Sequence, residues 1–127
     1  HPDTLSMDDD WCIEFIDGLE HDNVGVLYDC CHYGVGQPKT YVEAIANLGA
    51  RIRHVHFSDG DAQTYALHLP LGDGQLALGE ITRALKDINY RGTLTCDMFN
   101  YPLLDDGARR NADAIRQVER QLNLATT

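Results

Sequence analysis

The chain has 127 residues, of which 43% are hydrophobic and 24% are charged. These are ordinary values for a globular domain, and they exclude a collagen-like chain, a coiled-coil rod and a disordered tail. Ten Lys and Arg residues against twenty Asp and Glu residues give a formal net charge of −10. This charge argues against nucleic acid and anionic membranes as partners, because both are bound through basic residues.

The sequence has no apolar run of about 18 residues, so it predicts no membrane span. Its four cysteines include the adjacent pair Cys30 and Cys31, which is a poor framework for disulfide bonds. A chain of this length also does not need disulfides to fold. We therefore predict reduced thiols and a cytoplasmic location.

Apolar residues alternate between helical spacing and strand spacing along the chain. The order of helix and strand predicts parallel strands that are joined by right-handed crossovers. The predicted elements are a helix that follows an N-cap at Ser6, a strand over 24–29, a helix that starts at Pro38, a strand over 52–58, a helix over 78–88, a strand over 92–98 and a helix that starts near Asp105.

Each predicted strand has two different faces, because alternate residues of a strand point to opposite sides of the sheet. One face of each strand is bulky and apolar, which suits packing under helices. The opposite face carries Leu27, Ile52 and two histidines. With helices on one side only, we expect these residues to be open to water.

This second face ends in a titratable residue on all three strands: Asp29, His56 and Asp97. We expect them to converge at the carboxyl edge of the sheet, where the active sites of α/β barrels and open α/β sheets lie. Two carboxylates and an imidazole suit a divalent cation such as Mn²⁺, Co²⁺, Mg²⁺ or Zn²⁺. His32 is either a further ligand or a group that hydrogen-bonds the substrate. An Asp at the end of a strand also commonly caps a helix, so both roles are open for Asp29.

The cysteines suggest a structural zinc site less strongly. Cys30, Cys31 and His32 are adjacent, and Cys96 lies in the third predicted strand. However, Cys96 falls on the helix-facing side of that strand and points away from Asp97. This parity argues against a zinc site built from these four residues.

Four motifs follow one another in a fixed order: D-x-x-H, H-x-H-x-x-D, P-L-G-x-G and a final strand that ends in a carboxylate. In this order, the sequence resembles the sugar phosphate isomerase/epimerase superfamily, which comprises the xylose isomerase-like (β/α)₈ barrels. The resemblance implies an α/β fold in which residues 1–127 are the C-terminal half of a TIM barrel, with parallel strands six to eight and flanking helices. The motifs are 29–32, 54–59, 70–74 and 92–97.

The resemblance also implies an activity and its residues. The implied enzyme is a divalent-metal-dependent isomerase or epimerase that acts on a sugar or a small hydroxy-carbonyl compound through an enediolate. Asp29, His56 and Asp97 would bind the metal, and Asp97 would also be the catalytic acid/base. The residues expected to contact the substrate are His32, His68 and Asp59.

Two positions depart from the family pattern. The final carboxylate is usually a Glu, whereas Asp97 is one methylene shorter. Ala62 stands where the epimerases carry an Arg that contacts the substrate, so Tyr65 and His68 are candidates for that contact. A non-catalytic sugar-binding barrel is therefore a second interpretation. An endonuclease IV-like phosphodiesterase is disfavoured by the net charge and by Ala66, which replaces an Asp of its zinc cluster.

The length of 127 residues is about half of what this resemblance requires, since (β/α)₈ barrels typically use about 250 residues. His1 and Pro2 resemble the residues that follow strand five, where the family has Glu-x-His-Pro. The family glutamate would lie two positions before His1. We expect this half to associate with a missing N-terminal half-barrel or with a second copy of itself.

Overall fold

The computed structural model describes residues 4–35 and 40–123, so the predictions on His1, Pro2 and Pro38 lie outside the described residues. Helices and strands alternate within this part, as predicted. The elements are α1 (Asp9–Gly18), β1 (Val26–Asp29), α2 (Cys30–Gly34), α3 (Tyr41–Leu48), β2 (Ile52–His56), α4 (Leu78–Asp87), β3 (Thr93–Thr95) and α5 (Leu104–Leu122), with short 3₁₀ helices at Leu5–Met7 and Gly49–Arg51.

The three strands form one parallel sheet in the order β1-β2-β3. The register pairs Asp29 with His56, and His56 with Thr95. Asp97 follows Thr95 by two residues, so it leaves the sheet at the same edge. The predicted fold class is confirmed, and the register explains why the three titratable strand ends lie close together.

The strands are shorter than predicted. Beyond β3, for example, the N–H of Asp97 donates to the hydroxyl of Ser58 rather than to a strand backbone. The sequence pattern continues past this point, so periodicity alone overestimates the strand.

The prediction that Ile52 is open to water is wrong. The register shifts between Val26 and Leu27, so that Val26 pairs with Ile52 while Leu27 pairs with His54. The irregularity places the Ile52 side chain in the core, where it is 5% exposed. Leu27 lies on the uncovered face as predicted and is 48% exposed.

The first helix begins later than predicted. Its N-cap is Asp8, whose side chain accepts the N–H of Trp11 at 2.9 Å. Ser6 lies instead in the preceding 3₁₀ helix, and its hydroxyl is 2.8 Å from that of Thr4. The next long helix, α3, ends at Gly49, which has a positive φ of 53° that side chains disfavour.

The helices pack in sequence across one side of the sheet: α1 against α3, α3 against α4 and α4 against α5. Burial of each large apolar side chain contributes roughly 1.5–3 kcal/mol. No described helix is long and apolar enough to cross a bilayer. Within the described residues, the core includes eight side chains with no exposed surface: Tyr28, Cys30, Ile45, Leu48, Val55, Phe57, Ile81 and Leu85.

Candidate metal centre

Asp29 ends β1 and directly precedes α2, and its two carboxylate oxygens serve different neighbours. Oδ1 accepts the N–H of His32 at 2.9 Å and so caps α2. Oδ2 lies 3.1 Å from Nδ1 of His56. The carboxylate therefore caps a helix with one oxygen and leaves the other facing the neighbouring strand end.

Asp97 approaches the same group from the third strand. Its Oδ2 lies 3.5 Å from Nδ1 of His56 and 3.4 Å from Nδ1 of His68. Ser58 holds the backbone of Asp97 in place, because its hydroxyl donates to the Asp97 carbonyl at 2.5 Å and accepts the Asp97 N–H at 2.9 Å. The clamp orients the carboxylate toward the centre of the site.

The sequence-predicted set of Asp29, His56 and Asp97 is brought together, with one ligand atom from each residue within 4.8 Å of the others. Two carboxylates and one imidazole are a mixed O/N donor set that fits Mn²⁺, Co²⁺, Mg²⁺ or Zn²⁺. The chemistry of the residues present is therefore compatible with a divalent cation.

His32 lies beside this group, at the end of the first turn of α2. Its Nε2 is 4.0 Å from Oδ2 of Asp29, and its ring stacks on that of Tyr65 with centroids 5.7 Å apart. Burial lowers the pKa of His32 below the ordinary histidine value, and this outweighs the opposite effect of Asp29. The neutral imidazole is therefore favoured near neutral pH.

His68 is more deeply placed than His32 and is 1% exposed. Its Nδ1 lies 3.1 Å from the backbone carbonyl oxygen of Asp97, and its Nε2 has no hydrogen-bond partner within the described part of the chain. The ring therefore lies against Asp97, and the contact of His68 with substrate stays a prediction.

Asp59 is turned away from the other site residues and is 1% exposed. Its Oδ1 accepts the N–H groups of Gly60 and Leu76, at 2.8 and 3.1 Å, and its Oδ2 accepts that of Gly72 at 3.0 Å. These bonds organise the loop between β2 and α4. They favour a structural role for Asp59 over the predicted contact with substrate.

A cavity of about 470 Å³ opens beside the group. Trp11, Phe15 and Leu27 contribute apolar walls, and the polar lining residues are Ser6, Asp29, His32, His56 and Asp97. A mainly apolar cleft with a few convergent polar groups is typical of small-molecule sites. The cavity is therefore large enough, and suitably lined, for a small ligand next to the carboxylates.

Sequence reasoning missed two residues. Ser58 is the clamp on Asp97, and nothing local in the sequence indicates that contact. Cys31 offers a ligand atom within 4.8 Å of Asp29 and His68. The sequence pattern groups Cys31 only with its neighbours Cys30 and His32 and with Cys96. That four-residue set does not form a cluster within residues 4–35 and 40–123, and all four cysteines are free.

The family profile described as Xylose isomerase-like TIM barrel matches residues 8–119 of this sequence. The chain belongs to the xylose isomerase-like TIM barrel family. Membership confirms the resemblance, and the three-stranded sheet is a partial barrel of this family. The family also accounts for a sheet that has helices on one side only, because the other side faces the interior of a complete barrel.

Two curated proteins are each 30% identical to this chain over the matched residues. An uncharacterized protein of Methanocaldococcus jannaschii matches over 89 residues, which are 69% of this chain and 30% of that protein. The D-psicose 3-epimerase of Enterocloster bolteae matches over 87 residues, which are 68% of this chain and 27% of the enzyme. The chain thus spans less than a third of either relative.

Solved structures of similar fold extend the match across most of the chain. A D-tagatose 3-epimerase-like protein superposes with a TM-score of 0.73 at 24% identity, covering 97% of this chain and 45% of that structure. The D-allulose 3-epimerase of Methylomonas sp. superposes with a TM-score of 0.65 at 21% identity, covering 87% of this chain and 43% of that structure. These likenesses show that the fold is about half of a xylose isomerase-like barrel.

Proposed function

We propose that this chain carries the metal-binding part of an isomerase or epimerase that acts on a sugar or small hydroxy-carbonyl compound through an enediolate. The observation that carries the proposal is the convergence of Asp29, His56 and Asp97 beside a cavity of about 470 Å³. The similarity to a D-psicose 3-epimerase supports the same reaction class.

Asp29, His56 and Asp97 would hold the cation, which is Mn²⁺, Co²⁺, Mg²⁺ or Zn²⁺. When bound, such a cation acidifies the C–H group next to a substrate carbonyl and stabilises the enediolate that follows deprotonation. His56 contributes an imidazole that both neighbouring carboxylates already orient. Asp29 contributes the carboxylate oxygen that the helix cap does not use.

Asp97 is the residue proposed to remove and return the proton at the substrate carbon. Its side chain is 38% exposed, whereas that of Asp29 is 11% exposed and also caps a helix. A general base must come within hydrogen-bonding reach of the proton that it abstracts. Of the two carboxylates, that of Asp97 is the more accessible to a substrate in the cavity.

His32 is the proposed substrate contact from this part of the barrel. It lines the cavity, and its neutral ring can both donate and accept a hydrogen bond. His68 does not line the cavity, so we propose that it positions Asp97 instead.

The rim of the site favours an uncharged substrate over a phosphorylated one. The described loops at the carboxyl edge, residues 29–35, 57–77 and 96–103, contain no Lys or Arg. Arg110 reaches this region from α5, but Asp73 occupies its guanidinium. Recognition of a phosphate usually relies on such cations, and the described residues of these loops provide no basic side chain for one.

We further propose that residues 1–127 form the C-terminal half of the barrel, with β1, β2 and β3 as strands six, seven and eight. A complete barrel has eight strands. Two copies of this three-stranded sheet would supply only six. This count favours a complementary N-terminal half-barrel over self-association as the partner.

The proposal is tested on this chain together with the rest of its barrel. We expect bound divalent metal and interconversion of ketoses across a panel of uncharged sugars, measured by metal analysis and NMR. Replacement Asp97→Asn should reduce turnover at least about 100-fold, whereas Asp97→Glu should remain active. Asp61→Asn is the matched control, since Asp61 is an acidic residue of the loop after β2 that accepts the Gln63 and Thr64 amides and belongs to neither metal group.

Absence of both metal and turnover would overturn the proposal. Unchanged sugar binding and physiological activity in Asp97→Ala would point instead to a non-catalytic sugar-binding barrel.

A further inference from the structure

We propose that Asp29, Cys31 and His68 form a second cation site, distinct from the Asp29–His56–Asp97 group and suited to Zn²⁺ or another thiophilic divalent ion. One ligand atom from each of the three residues lies within 4.8 Å of the others. All three residues are buried, with exposures of 8%, 2% and 1%. The inference concerns metal binding and does not depend on the proposed activity.

His68 is arranged as a metal-ligating imidazole. Its Nδ1 lies 3.1 Å from the carbonyl oxygen of Asp97, and a carbonyl can only accept a hydrogen bond. The proton of the neutral ring is therefore on Nδ1, which leaves a lone pair on Nε2. Nε2 is buried without a hydrogen-bond partner among the described residues. A cation would satisfy this lone pair, and ligating histidines commonly have their other nitrogen held by such a carbonyl.

Cys31 supplies the thiophilic character of the site. Its thiol, held in the short helix α2, donates to the carbonyl oxygen of Asp59 at 2.9 Å. On binding a divalent cation, the sulfur would lose this proton to solvent, form the metal–sulfur bond and give up the hydrogen bond to Asp59. A thiolate and an imidazole together select Zn²⁺ and similar ions over Mg²⁺.

Asp29 is common to both groups, so the two sites are coupled through one carboxylate. With both sites filled, this carboxylate would bridge two cations at about 4 Å, the spacing of two-metal enzymes. Asp29 lines the cavity, so an ion would approach the second site from the side of this carboxylate. Three protein ligands also leave the fourth position of a tetrahedral Zn²⁺ open to water or substrate.

The test is a titration of the metal-free chain, together with the rest of its barrel, with Co²⁺, which reports a thiolate ligand as a near-ultraviolet charge-transfer band. We expect the band in the wild-type chain and in the matched control Cys30→Ala, and its loss in Cys31→Ser. Cys30 is adjacent and equally buried but belongs to neither group. His56→Ala removes a ligand from the Asp29–His56–Asp97 group only, so the band should persist in that variant.

Absence of the band from the wild-type chain would overturn the second site. A band that survives Cys31→Ser, or that disappears in His56→Ala, would overturn it as well. If Cys31→Ser does not fold, zinc X-ray absorption on the wild-type chain decides the question. A sulfur scatterer at about 2.3 Å supports the site, and its absence contradicts it.

Discussion

Nδ1 of His56 lies 3.1 Å from Oδ2 of Asp29, and the other oxygen of that carboxylate accepts the N–H of His32 at 2.9 Å. The end of β1, the start of α2 and the candidate metal centre therefore meet at one side chain. Substitutions at Asp29 can separate its contribution to the fold from its contribution to metal binding.

Asp29→Asn should preserve the helix cap but weaken metal binding. Asn is as good an N-cap as Asp, yet it carries no negative charge for a cation. We expect Mn²⁺ affinity, measured by calorimetry, to fall at least about tenfold with little change in urea unfolding. Asp29→Ala should lose about 1 kcal/mol of stability in addition.

Asp8→Ala is the control for this pair, because Asp8 caps α1 outside the metal group. It should lower stability by about 1 kcal/mol and leave Mn²⁺ affinity unchanged. Wild-type affinity in Asp29→Asn would remove Asp29 from the ligand set.

Asp59→Ala should be among the most destabilising changes in the loop between β2 and α4. Three backbone N–H groups would lose their acceptor in a buried setting, and unsatisfied buried donors are costly. We expect a loss of about 3 kcal/mol in urea unfolding. The comparison is Asp61→Ala, which should cost about 1 kcal/mol or less. Equal effects of the two changes would argue against the structural role of Asp59.

Gly74 should not tolerate a side chain, because a Cβ there would collide with the Asp59 carboxylate and with the backbone of Gly60, whose nitrogen would be 2.6 Å away. We expect Gly74→Ala to cost about 2 kcal/mol. A Cβ at Gly79, in the first turn of α4, meets nothing within 4 Å. Gly79→Ala should therefore be neutral or stabilising by up to about 1 kcal/mol. Urea unfolding of both variants is the measurement, and a neutral Gly74→Ala would contradict this account of the loop.

The ion pair of Asp73 with Arg110 should make stability depend on acid pH. The hydrogen bond from the guanidinium lowers the pKa of the Asp73 carboxyl below its ordinary value. The unfolded chain then binds a proton at this site more readily than the folded chain. The contribution is present above the ordinary Asp pKa and is lost as pH falls through the lowered folded value.

Urea unfolding at a series of pH values from about 6 to about 3 measures this effect. The wild-type chain should lose more stability over this interval than either Asp73→Asn or Arg110→Gln, and the two variants should behave alike. Identical pH profiles for all three chains would show that the pair contributes nothing in solution.

Much of the fold follows from local sequence pattern. Helical spacing and strand alternation predict the order of the elements, because each depends on residues only a few positions apart. Strand parity places Asp29, His56 and Asp97 at one edge of a parallel sheet, and the register brings them together there. Even the N-cap prediction at Ser6 missed the true cap, Asp8, by only two positions.

Tertiary contacts determined what local pattern could not. Ile52 enters the core through a register irregularity between two strands. Asp59 turns into its own loop because the amides of Gly72 and Leu76 come within reach of its carboxylate. Cys31 meets His68 only after the loop that follows β2 folds back over α2. Each of these outcomes depends on groups far apart along the chain, whose approach is decided by packing and by the hydrogen-bonding requirements of buried backbone.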